Sequence, residues 1–129
     1  MPVHKGVFHL KEYIMQELEM PYQVVAISTG DMGKPDAKQI DIEIWMPSLQ
    51  KYLETHSADY MSDYQARRLK TYVQRNGTNE LVHMNDATGI AFSRIPAAII
   101  ENYQTKEGTV IIPKILRPFM YGKKEISNG

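Results

Sequence analysis

The chain has 129 residues, no cysteine, and fifteen basic residues that balance fifteen acidic ones. Disulfides and thiolate metal sites are therefore excluded, and a net charge of zero implies no general attraction to nucleic acid or to a membrane surface. The length suits one compact domain, and the absence of a membrane-spanning apolar run or a signal-peptide core predicts a cytoplasmic protein without membrane association.

The first predicted element is an amphipathic helix over residues 8–19. Leu10, Tyr13, Ile14 and Leu18 recur at helical spacing, which predicts that they share the face directed at the core. The proline that follows the last turn is typical of a helix end.

Most of the remaining chain carries the period-two alternation that is typical of strands. The predicted strands are 23–29, 39–45, 52–55, 68–74, 81–84 and 109–112. Asn76-Gly77 is typical of a hairpin turn, and residues 56–63 have the composition of a loop. Residues 123–129 are polar and are expected to form a disordered tail.

A change of period marks residues 88–104. Residues 88–93 alternate small and bulky side chains, which predicts a strand with one nearly bare face that a ligand can approach. Residues 95–102 then follow helical spacing, and Arg94 stands at the junction. Pattern alone favours a core strand and a core helix with Arg94 as a surface charge. The fold class predicted from all elements is α+β, with an antiparallel β-sheet flanked by helices.

Several ordered motifs resemble the seryl-tRNA synthetases, which are class II aminoacyl-tRNA synthetases. The segments that carry the resemblance are Leu18-Glu19-Met20-Pro21-Tyr22-Gln23-Val24-Val25, Ser28-Thr29-Gly30-Asp31-Met32-Gly33, Asp41-Ile42-Glu43-Ile44-Trp45-Met46-Pro47, Asp63-Tyr64-Gln65-Ala66-Arg67-Arg68, Glu101-Asn102-Tyr103-Gln104 and residues 112–120. The resemblance extends over residues 10–125. Residues 88–104 resemble motif 3 of class II enzymes, with Arg94 as its arginine.

The resemblance implies the class II catalytic fold, with residues 1–129 as the C-terminal portion of the catalytic domain. The tRNA-binding arm and motifs 1 and 2 of the family would then lie upstream. The implied function is that of a serine–tRNA ligase, which uses ATP to convert L-serine to seryl-adenylate and transfers the seryl group to tRNA(Ser). The implied full-length protein is a homodimer.

The resemblance also implies an ATP-binding segment made of Glu54, Thr55, His56 and Ser57. Glu54 and Ser57 would supply oxygens to Mg²⁺ bound with ATP, because hard cations prefer carboxylate and hydroxyl oxygens. Without the resemblance, Glu54 is a solvent-facing glutamate at a strand end, beside a turn serine.

Three further site residues follow from the same resemblance. Arg94 would bind the nucleotide and act in catalysis, since a planar guanidinium suits phosphate oxygens. Thr88 and Asp86 would bind the substrate serine; the alternative is that both only shape a turn. The run Ala58-Asp59-Tyr60 and the acid at position 86 depart from the family pattern.

These departures support a second hypothesis. The chain would then be a non-catalytic synthetase-like paralogue or fragment that acts as a binding or interaction module. A remoter alternative is a small α+β binding domain of unrelated origin.

Overall fold

The computed structural model describes residues 2–127. Over this part of the chain, helices alternate with short antiparallel strands. In chain order the elements are α1 (Pro2–Glu17), β1 (Tyr22–Ala26), β2 (Lys38–Met46), β3 (Lys51–Tyr60), α2 (Tyr64–Leu69), β4 (Tyr72–Arg75), β5 (Thr78–Leu81), β6 (Asn85–Ala87), α3 (Arg94–Tyr103), β7 (Val110–Ile111) and β8 (Glu125–Ile126). Two 3₁₀ segments, Pro47–Leu49 and Lys114–Met120, join them.

The main sheet has the strand order β1-β2-β3-β6, and every neighbouring pair is antiparallel. The register of β2 and β3 shifts once, because Ile42 pairs with His56 whereas the next residue, Glu43, pairs with Glu54. Thr55 is therefore an extra residue in β3, which is the arrangement of a β-bulge. The predicted α+β class with an antiparallel sheet and flanking helices is confirmed.

The core lies between one face of this sheet and the helices α1 and α3. Its buried members are Met15, Leu18, Met20, Ile42, Ile44, Met46, Ile95 and Ala98. Ile42 and Ile44 of β2 are buried at alternate positions, as their spacing predicts, whereas Ile40 is half-buried.

The predicted inner face of α1 is partly wrong. Leu10 and Tyr13 are 62 % and 55 % exposed, whereas Lys11 and Met15 are buried. Met15 and Leu18 pack on the sheet, and this orientation turns Leu10 and Tyr13 away from it. The apolar residues of the helix cover more than one face, so periodicity alone did not select the face that the sheet requires.

Polar contacts fix α3 against β2. The Asn102 side chain donates to the main-chain oxygens of Trp45 (3.0 Å) and Ala98 (2.9 Å). The Tyr103 hydroxyl donates to the oxygen of Leu18 at 2.5 Å. The bonds to Trp45 and Leu18 hold the C-terminal end of α3, the helix whose first residue is Arg94. None of the helices within residues 2–127 is both long and apolar enough to cross a membrane.

Residues 62–83 leave the main sheet as a separate excursion. The amide of Met61 donates to the oxygen of Met84 at 3.0 Å, and the amide of Met84 donates to Ser62 at 2.8 Å. The strand predicted at 68–74 is wrong in its first half, because α2 extends through Leu69. The hairpin turn at Asn76-Gly77 is confirmed: both residues have positive φ, 48° and 79°, as the type I′ turn of a two-residue hairpin loop requires.

Three other expectations differ from the structure. The loop expected at 56–63 belongs largely to β3, which stays paired with β2 through Tyr60. Residues 88–93 do not form the predicted strand, because their amides bond to β3 at Thr88 and Ala91, three residues apart, and not at alternate positions. The bulky face expected there to be core is largely exposed, with Phe92 84 % accessible.

The expected tail is ordered in part. Within residues 123–127, Glu125 and Ile126 form β8 and pair with Ile111 and Val110. The rest of that prediction, residues 128–129, lies outside the described residues.

Candidate functional site

The predicted site residues converge on β3 and on the segment that leads into α3. Arg94 donates from Nη1 to the main-chain oxygen of Glu54 at 2.7 Å, and the same nitrogen lies 3.7 Å from the Glu54 carboxylate. The two side chains are 43 % and 42 % exposed, so the guanidinium is partly accessible to solvent. A cation held in this way presents donors to an approaching anion.

A second contact joins the predicted ATP segment to the predicted serine-binding residue. The hydroxyl oxygens of Ser57 and Thr88 lie 3.3 Å apart, and the amide of Thr88 donates to the main-chain oxygen of Ser57 at 3.1 Å. These residues are 31 positions apart in the sequence. The structure therefore brings together two hydroxyls that the sequence assigned to different ligands.

Thr55 and His56 differ from their neighbours, because both side chains are fully buried. The Thr55 hydroxyl donates to the oxygen of Ile42 at 3.2 Å and lies 2.9 Å from Nδ1 of His56. A ligand on the solvent side would meet the side chains of Glu54 and Ser57, and it would reach Thr55 and His56 only through the main chain.

The site region also concentrates negative charge. Asp86 lies directly opposite Asp59 in the pairing of β6 with β3. Burial, with smaller contributions from the charges of Asp36 and Asp41, raises the pKa of Asp59 to about 6. Burial also raises the pKa of Asp41, which is 5 % exposed and accepts hydrogen bonds from Gln39. Carboxylates that lie close together repel a further anion, so binding of an anion here requires cations that offset their charge.

One cation near these acids was not identified from the sequence. Lys11 of α1 is 3 % exposed, and its ammonium donates to the main-chain oxygen of Ser57. Burial lowers the pKa of Lys11, while Asp59, Asp41 and Asp86 act in the opposite direction. Helical periodicity places a lysine on the solvent face by default, so no sequence signal distinguished it.

The donor set fits a magnesium ion only in part. Glu54 and Ser57 offer the oxygen ligands that Mg²⁺ prefers. Across the described residues, however, no group of three or more His, Cys, Asp or Glu side chains is arranged to hold a metal ion.

The buried imidazole of His56 makes folding sensitive to pH. Burial, with a smaller contribution from the charge of Lys11, lowers its pKa from 6.5 to about 4. As pH falls from 6.5 towards 4, the unfolded chain takes up a proton that the folded chain refuses, so the free energy of unfolding falls. This difference corresponds to about 3 kcal/mol. Asp59 acts oppositely over pH 6 to 3.8, because its raised pKa lets the folded chain bind the proton first.

We therefore expect Asp59→Asn to unmask the effect of His56. Between pH 7 and pH 4.5 this variant should lose more unfolding free energy than the parent chain, as measured by urea denaturation at both pH values. Glu107→Gln, in an exposed turn, removes one negative charge elsewhere and should behave like the parent. Equal losses in all three proteins would contradict the assignment.

Comparison with known proteins identifies the family of this chain. Residues 3–103 match the family described as tRNA synthetase class II core domain (G, H, P, S and T). The serine–tRNA ligase of Brachyspira hyodysenteriae is 48 % identical over 116 residues, which are 90 % of this chain and 27 % of that protein. That of Dictyoglomus thermophilum is 46 % identical over 119 residues, 92 % of this chain and 28 % of that protein. The chain thus spans little more than a quarter of the length of these relatives.

Solved structures show the same fold. Seryl-tRNA synthetase from Pyrococcus horikoshii complexed with ATP superposes with a TM-score of 0.94 at 43 % identity, covering 99 % of this chain and 29 % of that one. The cytoplasmic serine–tRNA ligase of Naegleria fowleri in complex with AMP gives 0.88 at 36 % identity, covering 98 % and 30 %. The family match covers most of the chain and the superposition almost all of it, so the chain belongs to the class II tRNA synthetase core domain family.

Proposed function

We propose that this chain supplies part of the ATP- and serine-binding site of a serine–tRNA ligase. The observation that carries the proposal is the double contact between β3 and the segment before α3: Glu54 with Arg94, and Ser57 with Thr88. The similarity to serine–tRNA ligases, one of them solved with ATP, supports this ligand set.

In this proposal the chain binds and orients its substrates. Arg94 offers a permanent positive fork to phosphate oxygens, and Glu54 holds that fork through its main-chain oxygen. Glu54 and Ser57 would hold Mg²⁺ together with ATP, and the ion would supply charge neutralisation at the phosphates. Thr88 and Asp86 would receive the hydroxyl and ammonium groups of serine.

The reaction proposed for the complete protein has two transfers. The carboxylate of L-serine attacks the α-phosphorus of ATP, which forms seryl-adenylate and releases pyrophosphate. A terminal ribose hydroxyl of tRNA(Ser) then attacks the seryl carbonyl and releases AMP. Positioning and charge neutralisation carry the first step without a covalent enzyme nucleophile. A homodimer and a cytoplasmic location belong to the same proposal.

The test of the amino acid part is Thr88→Val, which keeps the shape of the side chain and removes its hydroxyl. In serine-dependent exchange of pyrophosphate into ATP, we expect KM for serine to rise about tenfold or more, with KM for ATP nearly unchanged. Thr78→Val, in the exposed hairpin, is the matched control. An unchanged KM for serine would remove Thr88 from the site.

The paired acids favour a second candidate, a non-catalytic binding module. Asp59 and Asp86 face each other across two strands, and a site with this much negative charge is poorly suited to a nucleotide triphosphate without added cations. Absence of exchange, together with absence of Mg·ATP binding, would support this candidate over the enzyme.

A further inference from the structure

Lys11 is a buried cation whose hydrogen bond goes to the main chain and not to an acid. Its side chain is 3 % exposed, and its ammonium donates to the oxygen of Ser57, 46 residues away. None of the ion pairs found among the described residues includes Lys11. Burying an ammonium is unfavourable unless its hydrogen bonds compensate for the lost hydration, so this contact needs a physical explanation.

The carbonyl that receives Lys11 belongs to Ser57, one of the two residues whose hydroxyls meet in the candidate site. The oxygen of Ser57 also accepts the amide of Thr88 at 3.1 Å, so both of its lone-pair directions are used. On the same two residues, the hydroxyl oxygens lie 3.3 Å apart. One carbonyl therefore connects α1, β3 and the segment that begins at Thr88.

We propose that Lys11 is a positioning residue of the candidate site, whose ammonium holds the Ser57 carbonyl and thereby fixes the Ser57–Thr88 hydroxyl pair. This inference rests on the proposed function for its ligand, Mg·ATP, but its structural part does not. Lys11 touches neither substrate; it acts through the peptide group of Ser57. If Lys11 only filled the space beneath β3, a neutral side chain of the same length could replace it without an effect on the site.

The test separates charge from volume. Lys11→Met keeps the length of the stem and removes the donor. Lys11→Cys introduces a single thiol into a chain that has no cysteine, so alkylation can be specific. In denaturant, the introduced thiolate displaces bromide from 2-bromoethylamine, and a new S–C bond yields a side chain that again ends in an ammonium. Alkylation with 1-bromopropane gives a neutral side chain of the same length.

Two measurements follow refolding. The first is the rate of amide hydrogen exchange at Thr88, compared with the rate at Ala91. The amide of Ala91 donates to the main-chain oxygen of Thr55, which lies in β3 as Ser57 does, so Ala91 serves as the internal reference. In the Met and propyl forms we expect Thr88 to exchange about tenfold faster relative to Ala91, with parental protection in the aminoethyl form. The second is Mg·ATP affinity, expected to fall about tenfold in the two neutral forms and to recover with the ammonium.

The outcomes are distinguishable. If the parent chain binds no Mg·ATP, the proposed function fails, and the exchange ratio with its recovery still decides the role of Lys11. If the parent binds and the neutral forms match it in both measurements, Lys11 is a space-filling residue and the inference is overturned. A changed exchange ratio with unchanged affinity also overturns it. So does refolding of the aminoethyl form alone, because the ammonium would then serve the fold as a whole.

Discussion

Arg94→Ala is expected to weaken binding of Mg·ATP by about 100-fold. The guanidinium is held at the start of α3 by the oxygen of Glu54, and the side chain is 43 % exposed, so a ligand can reach it. Two charge-assisted hydrogen bonds to phosphate contribute about 3 kcal/mol, which corresponds to this factor. Isothermal titration calorimetry with Mg·ATP measures the loss directly.

Two further variants sharpen this result. Arg94→Lys retains the charge but not the planar fork, so an intermediate affinity is expected. Arg75→Ala removes one exposed positive charge in the β4–β5 hairpin, away from the site, and should bind as the parent does. Arg94→Ala that binds ATP with the affinity of the Arg75 variant would show that Arg94 is a surface charge, as its sequence pattern alone suggested.

Ile44→Ala is expected to have the largest effect on stability. Ile44 is fully buried in the core between the sheet and the helices α1 and α3, and it pairs with Tyr22 and Leu53 on the flanking strands. Removing three buried carbons and leaving a cavity costs about 2–5 kcal/mol, a large part of the stability of a small domain. Urea unfolding should show a lower midpoint with an unchanged slope.

The matched control is Ile100→Ala on α3. Ile100 is 50 % exposed, so the same substitution should cost well under half as much. If the two variants lost equal stability, the burial assigned to Ile44 would be wrong. A changed slope in the Ile44 variant alone would mean that the unfolding transition, and not only the core packing, had been altered.

The local elements were predictable where one periodicity dominated. β2 alternates isoleucine with polar residues along its length, and Asn76-Gly77 has a single favourable hairpin geometry, so both were identified from sequence. Residues 88–93 alternate just as clearly, yet they form no strand. Their amides bond to β3 at Thr88 and Ala91, so contacts distant in sequence override the local pattern.

The candidate site could be proposed from the sequence as a set of residues, but its arrangement could not be predicted. Resemblance to a family supplied Glu54, Ser57, Thr88 and Arg94, whereas spacing could not show which of them touch. Glu54 and Arg94 are 40 residues apart, and their contact depends on how α3 docks. The contact of Lys11 could not be predicted for a related reason: its partner is a main-chain oxygen, which no side-chain pattern reveals.

The hydrogen bonds that join the two ends of the 62–83 excursion have a consequence for how this domain tolerates insertions and deletions. Met61, Ser62 and Met84 exchange main-chain hydrogen bonds where the excursion leaves and rejoins the sheet, so its two ends stay adjacent whatever lies between them. We therefore expect length changes at the Asn76-Gly77 tip to be absorbed by solvent-exposed chain, with little effect on β3 or β6. The tip is thus a natural place to graft a reporter peptide, or for related sequences to differ in length, without disturbing Ser57 or Thr88.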